Sequence, residues 1–425
     1  MKIQLTSGTM EEMVDIPDEN VIGVLSPAAP LPILKSNTDL IRDAIETPID
    51  SSRLEQLIHP HSTIAIVVDD HTRPTPTKDM LKIVLQKLAD LGVQDERITI
   101  TVGNGLHKKP PLEEQMKMFG QEIFTKYDIK VHEARDETAL AYIGATHAGT
   151  PFWVNKRVAE ADLVISLGMI KSHAFAGFTG GAKSILPGVS GKETILKNHR
   201  YEFIDYPNGI LGDAEMSAPR KDMEDAASKL PVFIVNVVLD LKKRVVGAFA
   251  GNLVGAHRKG VELFRKFAEV QVHEQADVVI VEGEYPASEN LYFALFGAEC
   301  VVMTKSPIVK RGGTIILPTQ CREGVGGKII EEVFATFSSP GQVLEHLKHS
   351  PPVEEQWAAQ HLAYCLLERD IAIVTNGTTK ENIEKLKMRY FNTVQEALYH
   401  AFEKYGRKMK IFIIKNAAFL IANVC

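Results

Sequence analysis

Cysteine, long apolar runs and clustered basic charge are all scarce in this chain, and each scarcity removes a class of protein. Its four cysteines, Cys300, Cys321, Cys365 and Cys425, stand far apart with no Cys-x-x-Cys pair. Neither a disulfide framework nor a thiolate zinc site is expected from them. No apolar run approaches the roughly 20 residues that span a bilayer. The opening MKIQLTSGTMEEMVDIPDEN lacks the charged-then-apolar pattern of a secretory signal. No membrane partner is therefore expected, and the expected compartment is the cytoplasm. A formal net charge of -6 without a Lys/Arg-rich stretch argues against a phosphate-backbone footprint, so no nucleic acid is expected either. No repeat of solenoid length and no low-complexity tract is apparent.

What remains is an average soluble composition, 45% hydrophobic and 24% charged, in 425 residues. That length predicts two domains, since one domain usually takes roughly 100 to 200 residues. Short β-branched runs alternate with segments of helical period: STIAIVVDD (62–70), TKDMLKIVLQKLADLG (77–92) and RITITVGNG (97–105). This is the strand-helix-strand order of a parallel sheet. The helix begins after Pro76 and Thr77, presents Leu81, Ile83, Val84, Leu85, Leu88 and Leu91 largely on one side, and stops at Gly92. Further buried strands are predicted at 161–170, 231–240, 276–283, 312–320 and 370–377. A charged helical stretch at 256–275 separates the two groups. The expected fold is therefore α/β: two α/β domains with mainly parallel sheets, residues 1–270 and 271–425, and the active site in the cleft between them. The final strand at 409–416 can return to either domain.

In open α/β sheets ligands bind beyond the carboxyl ends of strands, and four such segments carry unusual residues. In VVDDHTRPTP a strand runs into Asp69, Asp70, His71, Thr72 and Arg73. An Asx turn with a helix cap explains much of this run, but a guanidinium fork also suits a carboxylate or phosphate. In TVGNGLHKKPPLEEQ, Gly103-Asn104-Gly105 presents His107; a single loop histidine is equally at home in solvent. Beyond its strand, the stretch 165–195 carries five glycines, Lys171, His173 and Lys183, and is too long for a purely connecting loop. Thr179-Gly180-Gly181-Ala182-Lys183-Ser184 resembles a phosphate cradle without P-loop spacing. A lysine among glycines can instead bond covalently to a carbonyl-type cofactor group. In LKNHRYEF, His199 is a possible metal ligand or an ordinary core histidine.

Those four segments, DDHTRP, GNGLHKKP, KSHAFAGFTGGAKSILPG and NHR, together resemble the nickel-dependent lactate racemase family over nearly the whole chain. The resemblance implies a 2-hydroxyacid racemase or epimerase using a nickel pincer nucleotide, a pyridinium mononucleotide with thioacid groups. It implies that Lys183 is the covalent anchor, that His199 is the protein ligand to nickel, and that His107 and His173 transfer protons. Asp70, His71, Thr72 and Arg73 match the cofactor-contacting loop, and Arg73 can also orient the substrate carboxylate. Hydride would leave C2 for the cofactor, giving a transient 2-oxo acid, and return to the other face. The implied partners are a small-molecule 2-hydroxyacid and the cofactor-synthesis enzymes.

One stretch departs from the family. In EYPASENLYFALFGAE the Tyr-Pro and Asn-Leu-Tyr positions agree, but Phe293 and Phe296 stand where lactate racemases carry glutamine and lysine. With Tyr292 and Trp357 they are the expected substrate wall, and the loss of polar contacts favours a larger or less polar acid than lactate. The bland alternative is that both rings pack one helix face. Two other functions stay open: a divalent-metal hydrolase built on Asp69, Asp70 and His71, and a non-catalytic nucleotide-binding homologue.

Overall fold

Strands alternating with helices along the chain build two six-stranded sheets. The computed structural model describes residues 1–29, 35–206, 210–283 and 288–425. Tyr285 and Pro286, the first part of the pattern noted after the 276–283 run, lie outside the described residues.

The first sheet runs, in space, Val245–Asn252, Val232–Leu239, Leu163–Ile170, Ile64–Asp69, Ile98–Gly103, Asp128–Val131. All neighbours are parallel except Val245–Asn252, which pairs antiparallel with Val232–Leu239. Leu163–Ile170 is buried throughout, as a strand covered on both faces must be. The helix Thr77–Asp90 lies against this sheet through Met80, Leu81, Val84, Leu85 and Leu88. Gly92, at φ +79, follows the helix end in the left-handed conformation that glycine adopts freely. Ile83 and Leu91 of the expected apolar face are only half-buried.

The second sheet runs Arg389–Phe391, Asp370–Val374, Val309–Pro318, Ala276–Val281, Ile411–Ile414, Val21–Leu25, parallel throughout. Two of its strands come from the ends of the chain. Ile411–Ile414 sits between Ala276–Val281 and Val21–Leu25, so the last predicted strand belongs with the second group. The Lys2–Ser7 and Met10–Asp15 hairpin supplies Ile3, Leu5 and Val14, and with Ile16 just beyond it they join a core containing Val278, Ile280, Ile316 and Ile413.

The helix expected over 256–275 ends earlier. It spans Gly255–Ala268, and Glu269–Val272 then forms a strand paired with Ile421–Val424. Alternating Val270 and Val272 suit an extended chain, and only a partner from the far end of the sequence makes it a strand.

Each sheet has one place where strand order reverses. In the first it lies between Ile64–Asp69 and Leu163–Ile170, and in the second between Ala276–Val281 and Ile411–Ile414. Such reversals open a crevice at the carboxyl ends of the strands. One hydrophobic cluster, holding Ile170, Phe178 and Phe264 together with Val279, Val281 and Leu317, joins the two sheets.

Candidate active site

Both crevices open on a single cavity of about 480 Å³. The first sheet contributes Asp69 to Pro74, Gly103 to His107 and Lys171 to Phe175; the second contributes Val281 to Gly283 and Asn416 to Phe419. Lys183, His199, Tyr292, Phe293, Phe296 and Trp357 complete the wall. The structure thus brings every predicted site residue, Asp70, His71, Thr72, Arg73, His107, His173, Lys183, His199, Tyr292, Phe293, Phe296 and Trp357, to one place.

The Asp-Asp-His-Thr-Arg turn is both a structural turn and a site. Asp70 accepts from the Thr72 amide at 3.0 Å and the Thr72 hydroxyl at 2.5 Å, which is the Asx turn the sequence suggested. Its other oxygen lies 2.6 Å from His107 Nδ1. Burial alone would raise the Asp70 pKa, but His107, Arg73 and the Thr72 hydroxyl together hold it well below the usual carboxylate range. An ionised carboxylate only accepts, so Nδ1 of His107 donates to Asp70, and in the neutral imidazole Nε2 is the nitrogen with the free lone pair. Asp69 behaves oppositely. Burial raises it, and it accepts from the Thr75 hydroxyl at 2.7 Å and the Met169 amide at 3.1 Å. Arg73 has no ion-pair partner among the described residues, so its guanidinium is available to a ligand.

His173 sits in a two-residue ladder, Ser172–His173 with Gly177–Phe178. Its ring lies edge-on to Phe175 at 4.7 Å. Burial, then the charges of Lys183, Arg73 and Arg220, push its pKa well below the ordinary value, so it is neutral at pH 7. The same Phe175 ring meets His199 at 4.9 Å, and Trp357 meets His199 on another side at 5.0 Å. His199 closes the helix Lys192–Asn198. Burial, followed by Lys183 and His361, takes its pKa down to about 3, opposed only by the Ile195 carbonyl. Its Nδ1 is buried without a hydrogen-bond partner by geometry. Imidazole kept neutral in this way is the form that ligates a metal.

Lys183 stands in the short turn Gly181–Ser184 with no ion pair among the described residues. Burial, then Arg73 and Arg220, lower its pKa to about 7 against the pull of Asp69 and Asp70, so a large fraction of the amine is nucleophilic near neutrality. The glycines before it are required by close approach: Gly180 has φ +72, and a Cβ there would fall 2.7 Å from Asn236 Oδ1. Arg220, unnoticed in the sequence, binds this loop from below. Fully buried, it donates to the carbonyls of Ala176 and Gly180 at 3.1 Å each and to that of Phe178.

Tyr292 and Phe293 lie on the helix Leu291–Ala294, and Phe296 starts a second helix, Phe296–Val302. The two phenylalanines therefore do not share one helix, and both line the cavity. The Tyr292 hydroxyl accepts from Trp357 Nε1 at 3.0 Å. One turn beyond Trp357, His361 Nδ1 pairs with Glu299 at 2.8 Å. Neither of these two was a sequence candidate, since a histidine and a glutamate 62 residues apart give no spacing signal.

No group of three or more His, Cys, Asp or Glu side chains able to hold a metal occurs among the described residues. The Asp69-Asp70-His71 hydrolase alternative loses its ligand set, because both carboxylates are engaged by neighbours. Nor is any helix among the described residues long and apolar enough to cross a membrane.

Residues 7–212 match the lactate racemase N-terminal domain, and residues 271–422 match the lactate racemase C-terminal domain. The chain belongs to the lactate racemase family. A lactate racemase of Lactiplantibacillus plantarum is 34% identical over 94% of this chain and 95% of its own length. One from Thermoanaerobacterium thermosaccharolyticum is 32% identical over 99% of this chain and 98% of its own. The lactate racemase apoprotein structure from the latter organism superposes with a TM-score of 0.92 at 31% identity, covering 100% of both chains. A Thermotoga maritima crystal structure shares the fold at 16% identity and a TM-score of 0.69, over 94% of this chain and 100% of that one. Membership in a family of racemases makes this chain an isomerase.

Proposed function

We propose that this lactate racemase family member inverts C2 of a 2-hydroxyacid, lactate or a larger, less polar analogue, with a nickel pincer nucleotide held covalently by Lys183. The observation that carries the reading is the convergence of two neutral-capable histidines, an unpaired guanidinium and an unpaired low-pKa amine on one cavity at paired strand-order reversals. The residues fit the cofactor. Lys183 offers a nucleophilic amine, His199 a neutral imidazole whose buried Nδ1 has no protein partner, and Arg73 a free cation for its anionic groups. When bound, the cofactor would supply a two-electron acceptor for the C2 hydrogen as hydride.

The chain's own residues do the rest. Arg73 grips the substrate carboxylate with its planar fork. His107, its Nδ1 proton fixed on Asp70, presents Nε2 to the C2 hydroxyl and removes its proton as C2 loses hydride, leaving a transient 2-oxo acid. His173, neutral by burial, performs the same proton transfer for the opposite enantiomer. Hydride departure avoids building a carbanion beside an ionised carboxylate. Phe175, Phe293, Phe296 and Trp357 exclude water, which protects the 2-oxo acid and strengthens each charge interaction. The active site accordingly lies in the cleft between the two sheets, and cytoplasmic cofactor-synthesis enzymes are the partners that load it.

The test is intact-protein mass spectrometry with metal analysis and peptide mapping, on protein made beside the cofactor-synthesis enzymes, followed by a chiral assay over a panel of 2-hydroxyacids. The expected result is near-stoichiometric nickel, an adduct on Lys183 and racemisation of at least one acid. His107→Ala and His173→Ala should each cut racemisation at least 100-fold with the adduct retained, whereas Lys183→Ala should remove the adduct. Full racemisation by any of the three variants would sink the assignment.

A further inference from the structure

Lys171 lines the same cavity, and C2 inversion as derived above gives it no task. It follows directly on the buried strand Leu163–Ile170 and is only 8% exposed. Its backbone is locked on both sides: the amide donates to the Thr179 hydroxyl at 3.0 Å, and the carbonyl accepts from the Thr179 amide at 2.8 Å. The side chain therefore has little freedom to withdraw to solvent. Its amine makes no ion pair and no hydrogen bond with the described residues. The Phe296 ring centroid is 5.7 Å from Nζ, Arg73 lines the same cavity, and the charge of Arg73 and the Cys300 thiol both act on the amine. Cys300 is kept protonated by burial, and the nearby Glu299 is already bound to His361.

An ammonium taken out of water without a partner costs several kcal/mol, and a cation over a phenyl ring recovers only about 0.5 to 2 kcal/mol of it. Two cations, Lys171 and Arg73, line one cavity, and neither has an ion-pair partner among the described residues, so the site is completed by an anion from outside. The ring next to the amine is Phe296, and Phe293 lines the same cavity. Taking the C2-inversion reading as its basis, we propose that Lys171 is a substrate-binding residue that shares the 2-hydroxyacid's carboxylate with Arg73. The Phe296 ring beside the amine and the Phe293 ring of the same cavity then receive a hydrocarbon substituent on C3, so the substrate class is an apolar or aromatic 2-hydroxyacid.

The experiment titrates 3-phenylpropionate and propionate, which lack the hydroxyl and cannot react, calorimetrically into the cofactor-loaded protein. Wild type is expected to bind 3-phenylpropionate at least tenfold more tightly than propionate. Lys171→Met should weaken 3-phenylpropionate at least tenfold, Lys171→Arg should stay within threefold of wild type, and both should keep the Lys183 adduct. Lys171→Gln replaces the methionine variant if that one does not fold. Equal binding by the uncharged variant, loss of cofactor loading in place of carboxylate binding, or a wild-type preference for propionate would each overturn the proposal. Because binding needs no turnover, the two readings fail separately. Absent racemisation with the binding pattern intact would remove C2 inversion and leave the carboxylate site, while racemisation with unaltered binding in Lys171→Met would do the reverse.

Discussion

At the scale of single residues, the site is governed by how burial treats charge. The amines of Lys171 and Lys183 are both lowered to about 7 by burial first and then by Arg73, with Arg220 adding to the effect on Lys183. In an unfolded chain a lysine titrates near 10.4. Between about pH 7 and pH 10 the unfolded state therefore binds more protons than the folded one, and stability rises with pH across that window. The favourable contribution is complete above the unfolded value and gone once pH falls below about 7. Thermal unfolding of the cofactor-free protein should accordingly show a Tm several degrees higher at pH 9 than at pH 6.5, and Lys171→Met with Lys183→Met should flatten the difference. A flat wild-type profile would mean that these amines are better solvated than their surroundings indicate. His107, His173, Lys183 and His199 were legible in the sequence because they stand in motif stretches. His361 and Glu299 were not, because pairing across two helices leaves no local pattern.

At the scale of elements, the glycine-bearing stretch shows how a loop is held open for a ligand. Gly180 and Gly181 adopt φ of +72 and +57, which side chains other than glycine rarely tolerate. Asn236 Oδ1 accepts from the Gly181 amide at 2.7 Å, and a ring nitrogen of His257 lies 2.9 Å from the Thr179 carbonyl. Arg220 holds three further carbonyls of the same loop from the helix Ala218–Ala227. Removing a charged donor strands buried acceptors, at about 1 to 3 kcal/mol each. Arg220→Met should thus lower stability by about 3 kcal/mol or more in urea unfolding, and should reduce Lys183 adduct formation even where the fold persists. Gly180→Ala should impair loading with a smaller stability loss. Normal loading in both variants would show that the loop geometry is not what positions Lys183.

At the scale of the whole molecule, the two sheets do not divide the chain at one point. Val21–Leu25 and the hairpin before it belong with the strands after residue 276, although the boundary proposed from sequence falls near residue 270. A fragment of residues 271–425 would expose the edge of Ile411–Ile414 and uncover the core that Ile3, Leu5, Val14 and Ile16 close. It should aggregate when made alone, as exposed edges and apolar patches do, and become soluble when residues 1–29 are supplied in the same cell. A soluble, folded fragment without that segment would show that the first strand is dispensable. The sequence by itself determined the α/β class, most strand positions and the identity of the chemical groups, because periodicity and motif residues are local properties of a chain. It did not determine where the chain ends would pair, that Glu269–Val272 would leave its helix for a strand, or that the Lys171 amine would lie over the Phe296 ring. Those depend on partners tens to hundreds of residues away. Only tertiary packing decided them, by fixing which surfaces are buried and so which charges are left without a protein partner.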